Sequence, residues 1–463
     1  MFRLSLQYYI LHLPKIPKNA SMIFAINKSV TFMKLIHLLI IILIILINSA
    51  RANIIRDSEI QEAVDIIVKP LKEAANLPNL KIHIIDDPVP NAFTAGGNDI
   101  FVNSGLIIDF PDPDILRGVI AHEIGHILGN HIIRRQEVID NYMKASIGAT
   151  ALGLATAISG GAAEGLAIAM GGTHFSERSI YAYSRTFESS ADQTALKLLE
   201  KSSHSAVGLI NFFEKMQIFS KTDMINPYEQ THPLSNDRLL ILRSYNKRSK
   251  FKTSQNHDDI VYKYARSSAK LAAFTLDLDK ILDCTYEENS DELTHYMKAI
   301  KCFRIGNFDD SLNHINRLLM QHPDDPFYHE LKAQIYFEAG KSAAFTEYDI
   351  ASKARPNDVL IRLGMAIVGI TTHIDDAHYI TRFYKDLKFV IKHDPDNLLA
   401  LHYLAIYYEK KGLIGKSHLN SALIALKSGR TTDARTLAAA AMRTLPKKSP
   451  DWYKAGDILA ATE

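Results

Sequence analysis

The sequence predicts a mainly α-helical protein in two parts, a helical domain with a small β element and, after it, an α-helical solenoid. Apolar residues recur at helical spacing over most of the 463 residues. Two short stretches alternate in the way of strands instead, Lys81 to Ile85 and Ile100 to Asn103. Turn signals that contain proline recur in the last third of the chain. A chain of this length, with 47% hydrophobic residues, has material for two or three domains.

The composition excludes several classes of protein. The formal net charge is +2, but the first 52 residues contain six basic side chains and no acidic one, so the remainder is net acidic. No excess of Lys and Arg is left to neutralise phosphates, and we expect no nucleic-acid partner. Two cysteines, Cys284 and Cys302, exclude a disulfide-dense small fold and a Cys-rich zinc module. Whether they pair or remain two buried thiols is left open.

The N-terminus carries the pattern of a secretory signal. After Met33 come one lysine, an apolar run from Leu38 to Ile47 and the sequence Ala50-Arg51-Ala52. A short basic region, an apolar stretch and a small-x-small site are typical of such signals, and a membrane span would need roughly 20 apolar residues. We predict a signal region at residues 1–52, cleaved after Ala52, with Met33 as an alternative start. The alternative is an uncleaved membrane anchor.

The mature chain divides at a polar stretch. We predict a first domain at residues 53–245, a linker at 246–258 (NKRSKFKTSQNHD) and a helical repeat domain at 259–463. Three similar turns punctuate the last region: His322-Pro323-Asp324-Asp325, Arg355-Pro356-Asn357-Asp358 and Asp394-Pro395-Asp396-Asn397. Their prolines are 33 and 39 residues apart, near the 34-residue tetratricopeptide period. Each such repeat is a helix pair that buries its apolar face only by stacking on a neighbour.

Three further segments of the first domain bear on function. Asn91 to Gly97 has the composition of a loop, and Pro111-Asp112-Pro113-Asp114 is a helix-start signal for a helix predicted to run to about Arg135. Residues 145–172 are apolar and glycine-rich, with Glu164 as their only charge. Two interpretations of this stretch stay open, a packed helical hairpin or a mobile lid that makes peripheral contact with a membrane or an apolar client.

The helix that starts at Asp114 contains the sequence Ala121-His122-Glu123-Ile124-Gly125-His126. Histidines at i and i+4 lie one turn apart on one face, so both imidazoles can bind one metal ion. Glu123 can face a water on that metal and take its proton, which generates a hydroxide that attacks a carbonyl. The pattern alone also fits two surface histidines. The helix has an apolar face that favours a place in a core: Leu116, Val119, Ile120, Ile124, Ile127 and Leu128.

A third metal ligand is required, and two residues are candidates for it. His131 is one residue out of register with the pattern HExxHxxGxxH, and we interpret it as an ordinary helix-end histidine. Glu188 follows His126 by 62 residues, and Asp192 shares its helical face. Glu188 can therefore bind the metal while Asp192 reaches a ligand histidine or the reaction centre.

These motifs resemble those of the zinc-dependent endopeptidases related to the CaaX prenyl proteases and HtpX, whose signature is HExxH followed by a glutamate in an ExxxD motif. The resemblance covers roughly residues 55–245, and further blocks agree in order: Asn91-Ala92-Phe93, Gly96-Gly97, Ile100 to Leu106 and Thr231 to Arg238. It implies a zincin-type (gluzincin) catalytic domain. The implied zinc ligands, for one Zn²⁺ per chain, are His122, His126 and Glu188.

The resemblance implies roles for other residues as well. Glu123 would be the catalytic carboxylate, and Asp192 a second catalytic acid that donates a proton or orients a ligand histidine. His232 and Arg238 could stabilise the oxyanion, or His232 could occupy the open zinc position and keep the enzyme latent; loop packing is the alternative for both. An edge strand beside the cleft would pair with extended substrate: Ile100, Phe101, Val102 and Asn103.

A signal sequence and a repeat tail together are similar to the periplasmic members of this family that act on outer-membrane barrel assembly. The similarity implies a periplasmic zinc endopeptidase that hydrolyses misfolded or misassembled envelope proteins in outer-membrane protein quality control. Its expected partners are unfolded or misassembled polypeptides and the outer-membrane barrel assembly machinery. The alternative is a chaperone or assembly adaptor in which the helical repeat domain is the main functional part and proteolysis is latent.

Overall fold

In a computed structural model the chain forms two compact units, whose boundary falls after Thr275, except that Asp57–Glu59 belong to the second unit. The structure describes residues 54–140, 184–219, 228, 232–253, 256–281, 291–373 and 376–462. The predicted signal region at 1–52, the glycine-rich stretch at 145–172 and Cys284 lie outside these residues. No helix among the described residues has the length and apolar character needed to cross a membrane.

The first unit contains a four-stranded sheet with the order β1-β2-β4-β3. Its strands are β1 (Ile54–Ile55), β2 (Lys81–Ile85), β3 (Ala92–Thr94) and β4 (Asp99–Asn103). β2 and β4 run parallel, whereas β1 pairs with β2, and β3 with β4, in antiparallel fashion. Both strands that alternation predicts are therefore present. The side chains that they direct into the core are buried: Ile82, Ile84, Ile100 and Val102.

One strand prediction is wrong, namely that Ile100, Phe101, Val102 and Asn103 form an edge strand. β4 pairs with β2 on one side and with β3 on the other, so it lies inside the sheet. Alternation shows which face of a strand is buried but not how many neighbours the strand has. Among the described strands β3 is at this edge, within the stretch that composition predicts as a loop. Three residues are too few to show a period of two.

The helices of the first unit are α1 (Ser58–Ala75), α2 (Ser104–Asp109), α3 (Pro113–Leu128), α4 (131–140), α5 (184–201), α6 (Val207–Phe219), α7 (Asn236–Arg248) and α8 (Asp258–Thr275). α3 begins as predicted, because the Asp112 side chain accepts a hydrogen bond from the backbone N–H of Asp114. Its predicted end at Arg135 is wrong. Asn130 adopts a left-handed backbone with φ of 50°, which separates α3 from α4.

α3 is the central element of the first unit. Every residue from Pro113 to His126 is buried. Its apolar residues share one core cluster with the sheet, α1 and α6: Leu116, Val119, Ile120 and Ile124. Full burial of each such side chain contributes roughly 1.5–3 kcal/mol, so the helix is held firmly. The interpretation of His122 and His126 as surface histidines is thereby excluded.

The predicted linker at 246–258 is not the boundary between the units. α8, which follows it, belongs to the first unit, where Tyr264 and Leu271 are buried in the same core as α3. The polar side chains of the segment bind within this unit. The Asn256 side-chain oxygen accepts a hydrogen bond from Arg117 at 2.9 Å. Polar composition thus marks a surface segment of the first unit rather than a seam.

The second unit consists of helices in succession, α9 (Glu292–Arg304), α10 (Phe308–Gln321), α11 (Pro326–Glu338), α12 (Ala343–Ala354), α13 (Val359–His373), α14 (Ala377–His393), α15 (Leu398–Lys410), α16 (Ile414–Lys427), α17 (Thr431–Thr444) and α18 (Pro450–Ala460). The predicted turn signals start helices, since Asp325 caps α11 and Asn397 caps α15. The predicted fold class, mainly helical with a small sheet and a helical repeat region, is confirmed. Cys302 is buried in α9 and disulfide-bonded.

Candidate active site and metal centre

The site is built on α3, which carries His122, Glu123 and His126. All three side chains are buried, because the helix that carries them is part of the hydrophobic core. The two histidines are one turn apart, and their Nε2 atoms are 3.1 Å from each other. Two ring nitrogens that converge in this way are suited to share one cation.

A second helix, α5, brings a carboxylate to the same point. Glu188 Oε2 lies 3.3 Å from His122 Nε2, and Oε1 lies 3.4 Å from His126 Nε2. Close contact of the two helices depends on Gly125, where an added Cβ would stand 2.6 Å from the backbone oxygen of Ala191. The glycine inside the His-Glu-Ile-Gly-His motif therefore allows the third candidate ligand to reach the first two.

His232 completes the cluster. Its Nδ1 atom is 3.3 Å from Glu188 Oε2, and its Nε2 atom is 3.6 Å from Glu123 Oε1. One ligand atom from each of His122, His126, Glu188 and His232 lies within 4.8 Å of the others, and all four residues are buried. Nitrogen and carboxylate oxygen donors in this number are what zinc prefers in proteins.

The electrostatics of the cluster fit a bound cation. Burial alone would lower the pKa of His122, but the carboxylates of Asp192 and Glu188 outweigh it and raise that pKa to about 9. Burial would raise the pKa of Glu188, but hydrogen bonds from His122 and His232 lower it below its usual range. The acidic groups thus favour positive charge between the ligands, which a proton supplies in part and a metal ion would supply in full.

Glu123 differs from the ligands in how weakly its carboxylate is held. Neither of its oxygens has a hydrogen-bond partner of normal geometry among the described residues, although both are buried. Burial raises the pKa of Glu123, an effect that His232, His122 and the backbone of Thr94 partly offset. A buried carboxylate with free acceptor capacity beside a ligand cluster is suited to hold and transfer a proton.

Asp192 and Arg238 hold the cluster from the other side. Asp192 Oδ1 is 2.9 Å from His122 Nδ1, so it faces the ring nitrogen that points away from the cluster. The Arg238 guanidinium donates to both Asp192 oxygens, at 2.7 and 2.9 Å, and lies 3.1 Å from Glu188 Oε2. Arg238 and His122 outweigh burial and lower the pKa of Asp192. This position fits an orienter of His122 and not a proton donor.

Arg238 is equally unsuited to the predicted oxyanion role. Besides the two carboxylates, its Nη1 donates to the backbone oxygen of Pro233 at 2.8 Å. The guanidinium carbon lies over the Phe213 ring, 4.7 Å from its centroid. With its donors committed in this way, Arg238 supports the ligands. His232, in contrast, lines the cleft described next.

A cleft of about 200 Å³ opens onto the cluster. Its walls carry apolar side chains from α4, α5 and β3, namely Ile132, Val138, Phe187 and Phe93. The polar residues that line it are Thr94, Glu123, His126, His131, Arg135, Ser184, Glu188 and His232. The edge strand β3 is therefore beside the candidate reaction centre. A cleft that combines apolar walls with convergent polar groups is the usual form of a binding site.

Sequence reasoning missed some members of this site. Phe93 and Thr94 lie in the strand predicted as loop, and Phe187 precedes Glu188 without a pattern that would single it out. Tyr228 stacks on His232, with ring centroids 4.8 Å apart. His131, interpreted as an ordinary helix-end residue, is buried, with its Nδ1 atom 3.1 Å from His126 Nδ1. Its place after the histidine pair was the only available signal.

Most of the first unit is similar to a known protein family. Residues 55–246 match the model of peptidase family M48. The beta-barrel assembly-enhancing protease of Yersinia pestis is 24% identical over 308 residues, which are 64% of this chain and 62% of that protein. A putative beta-barrel assembly-enhancing protease of Vibrio cholerae is 26% identical over 286 residues, 59% of this chain and 58% of that protein. The chain thus spans about three fifths of the length of these relatives.

Two further similarities are more limited. The protease HtpX homolog of Dictyoglomus turgidum is 43% identical over 75 residues, which are 16% of this chain and 24% of that protein. A crystal structure of a tetratricopeptide repeat protein from Parabacteroides merdae covers 60% of this chain and 95% of its own, with 15% identity. Its TM-score of 0.23 is too low to support any statement about the fold. The family resemblance predicted from the sequence motifs is confirmed.

Proposed function

Residues 55–246 form a peptidase domain of family M48, and from this premise we propose that the protein is a zinc-dependent endopeptidase. The observation that carries the proposal is the position of Glu123. Its buried carboxylate lines the cleft and lies 3.6 Å from His232 Nε2 of the ligand cluster, in the place that a proton-transferring group requires. Zinc is the metal that two imidazoles and one carboxylate bind most commonly in hydrolytic centres.

His122, His126 and Glu188 would hold the metal, with one position left for substrate or water. Zinc bound there supplies Lewis acidity, which polarises a carbonyl and lowers the pKa of water. Glu123 takes the proton from the attacking water and passes it to the leaving nitrogen. Asp192 and Arg238 keep His122 and Glu188 in place through these steps.

The cleft favours an extended polypeptide as substrate. β3 pairs with β4 through one of its edges, and its Phe93 and Thr94 side chains line the cleft. A substrate segment can add to such an edge as a further strand, with main-chain hydrogen bonds that do not depend on sequence. This mode suits unfolded or misassembled proteins, whose backbone is accessible.

We place the activity in envelope protein quality control. The relatives named as beta-barrel assembly-enhancing proteases, the predicted signal region and the disulfide at Cys302 support this setting, because disulfides persist in exported compartments. The helical repeat unit would bind a partner, and the outer-membrane barrel assembly machinery is the proposed one. No observation favours the alternative of an adaptor without proteolysis, since every residue that the peptidase chemistry needs is present.

The proposal is tested by cleavage of an unfolded model protein by the purified chain. We expect cleavage that a chelator abolishes and that added zinc restores. Cleavage that is insensitive to the chelator would contradict a metallopeptidase. Bound zinc without any cleavage would favour the adaptor. The envelope setting is tested separately, by whether export of the chain in cells is required for turnover of misassembled outer-membrane proteins.

A further inference from the structure

Among the described residues, His131 lies beside the ligand cluster and has no part in the mechanism above. It is buried, and its Nδ1 atom is 3.1 Å from Nδ1 of His126. The opposite ring nitrogen of His126, Nε2, faces His122 Nε2 and Glu188. A histidine that binds metal through Nε2 carries its proton on Nδ1. In this arrangement the Nδ1–H of His126 faces His131, whose Nδ1 is the acceptor.

The backbone around His131 is shaped for this contact. Asn130 has φ of 50°, and this left-handed residue turns the chain back after α3. A Cβ at Gly129 would stand 2.1 Å from the His131 ring, so only glycine leaves room for the imidazole. The sequence Gly129-Asn130-His131 therefore folds the ring back onto the helix that carries the first two ligands.

A second contact ties His131 to the helix of the third ligand. Its ring stacks on that of Phe187, with centroids 4.7 Å apart and an interplanar angle of 17°. Phe187 immediately precedes Glu188 in α5. His131 thus joins the element that carries His126 to the element that carries Glu188.

From these contacts we propose that His131 is a positioning residue of the metal centre, which accepts the Nδ1 proton of His126 and so fixes the tautomer that binds metal. The inference rests on the metal site of the proposed function. Partners that orient a ligand histidine are usually carboxylates or carbonyl oxygens, and their loss typically weakens metal binding by about 10- to 100-fold. A neutral imidazole can take the same part because its unprotonated nitrogen is an acceptor.

The test measures zinc affinity by competition with a chromogenic chelator, in a Glu123→Gln background so that the result does not depend on hydrolysis. His131→Leu removes the acceptor, and we expect zinc binding to weaken about 10- to 100-fold. His131→Asn keeps an acceptor near the position of Nδ1 and should retain most of the affinity. The thermal midpoint of each metal-free variant shows that the fold is retained.

His83 offers a matched control. It also stacks on a phenylalanine, Phe101, at 5.1 Å and contacts one carboxylate through a ring nitrogen, at 2.7 Å from Asp99, but it lies on β2 and touches no candidate ligand. His83→Leu should leave zinc affinity unchanged. Equal affinities of His131→Leu and His83→Leu would overturn the proposal, as would a loss in His131→Asn as large as in His131→Leu.

Two other outcomes are also decisive. If His131→Leu fails to fold, His131→Gln takes its place, because its oxygen corresponds to Nε2 rather than Nδ1. Only His131→Asn should then retain affinity, and equal retention by both would overturn the role of Nδ1. Failure of the Glu123→Gln chain itself to bind zinc would overturn the metal site and this inference with it. Zinc binding that depends on His131 in a chain without peptidase activity would support the inference and contradict the proposed function alone.

Discussion

The candidate metal centre has two sides that differ in how their acidic groups are bound. On one side Asp192 is in contact with His122 and receives two N–H groups from Arg238. On the other side Glu123 lies at the cleft, and neither of its oxygens has a hydrogen-bond partner of normal geometry among the described residues. The first arrangement holds the Asp192 carboxylate in place, and the second leaves the Glu123 carboxylate able to take a proton. The difference indicates that holding the metal and reacting with substrate belong to different residues.

The largest expected effect comes from the cleft side. Glu123→Gln keeps the shape of the side chain but removes its capacity to take a proton, and we expect the rate of cleavage to fall by about 10²- to 10⁴-fold. Zinc content should be unchanged because the ligands are untouched. Rates on an unfolded model protein and metal analysis of the same sample measure both. Loss of zinc together with activity would show that Glu123 is misassigned.

Glu188→Ala tests the ligand that both sides share. Removal of the carboxylate takes away one of three donors, and zinc binding should weaken by more than the roughly 100-fold upper range for an outer partner. Cleavage should fall in parallel at limiting zinc. Chelator competition gives the affinity. Unchanged zinc content would point to His232 as the third ligand instead.

Arg238→Met probes the holding side. It leaves Asp192 buried beside His122 without its cationic partner, so we expect a loss of stability of about 3–5 kcal/mol. Zinc binding should weaken by about 10- to 100-fold. Arg238→Lys is the matched control, because it keeps the charge without the two-pronged donor geometry. Its stability and zinc affinity should lie between those of the unsubstituted protein and Arg238→Met. Denaturant unfolding and chelator competition report the two effects. Full zinc affinity of Arg238→Met would show that Arg238 has no part in holding the metal.

The smallest and most informative effect concerns His232, which is at the cleft and within the ligand cluster. Because His232 lies within the ligand cluster, with its Nδ1 atom 3.3 Å from Glu188 Oε2, we expect it to compete with water for the fourth metal position and so restrain activity. His232→Ala should then raise basal cleavage severalfold, measured as initial rate at saturating zinc. A fall in the rate would favour stabilisation of the transition state by His232 instead.

The sequence was sufficient to predict the parts of the site that depend on local spacing. The spacing of His122, Glu123 and His126 follows from helix geometry, and the separation of Glu188 from Asp192 does so as well. The convergence of Glu188 with the histidines could be expected only through the family resemblance. The close packing at Gly125 that permits it is a tertiary feature.

The remaining elements depend on contacts that no local pattern records. Whether β4 is at an edge is decided by its neighbours β2 and β3, and the three residues of β3 are too few to show a period. His131 lies out of register for a ligand, and its role depends on the left-handed turn at Asn130. Tyr264 on α8 is buried in the core of the first unit. The polar composition of 246–258 predicts a domain boundary before α8 and gives no sign of this packing.

The measurement that tests the division between the two sides most directly is the cleavage rate as a function of buffered free zinc. It compares the unsubstituted protein with Glu123→Gln and Arg238→Met. If one side holds the metal and the other carries out the chemistry, Arg238→Met regains most of its activity at high zinc, whereas Glu123→Gln stays inactive at every concentration. Recovery of both variants, or of neither, would contradict the account.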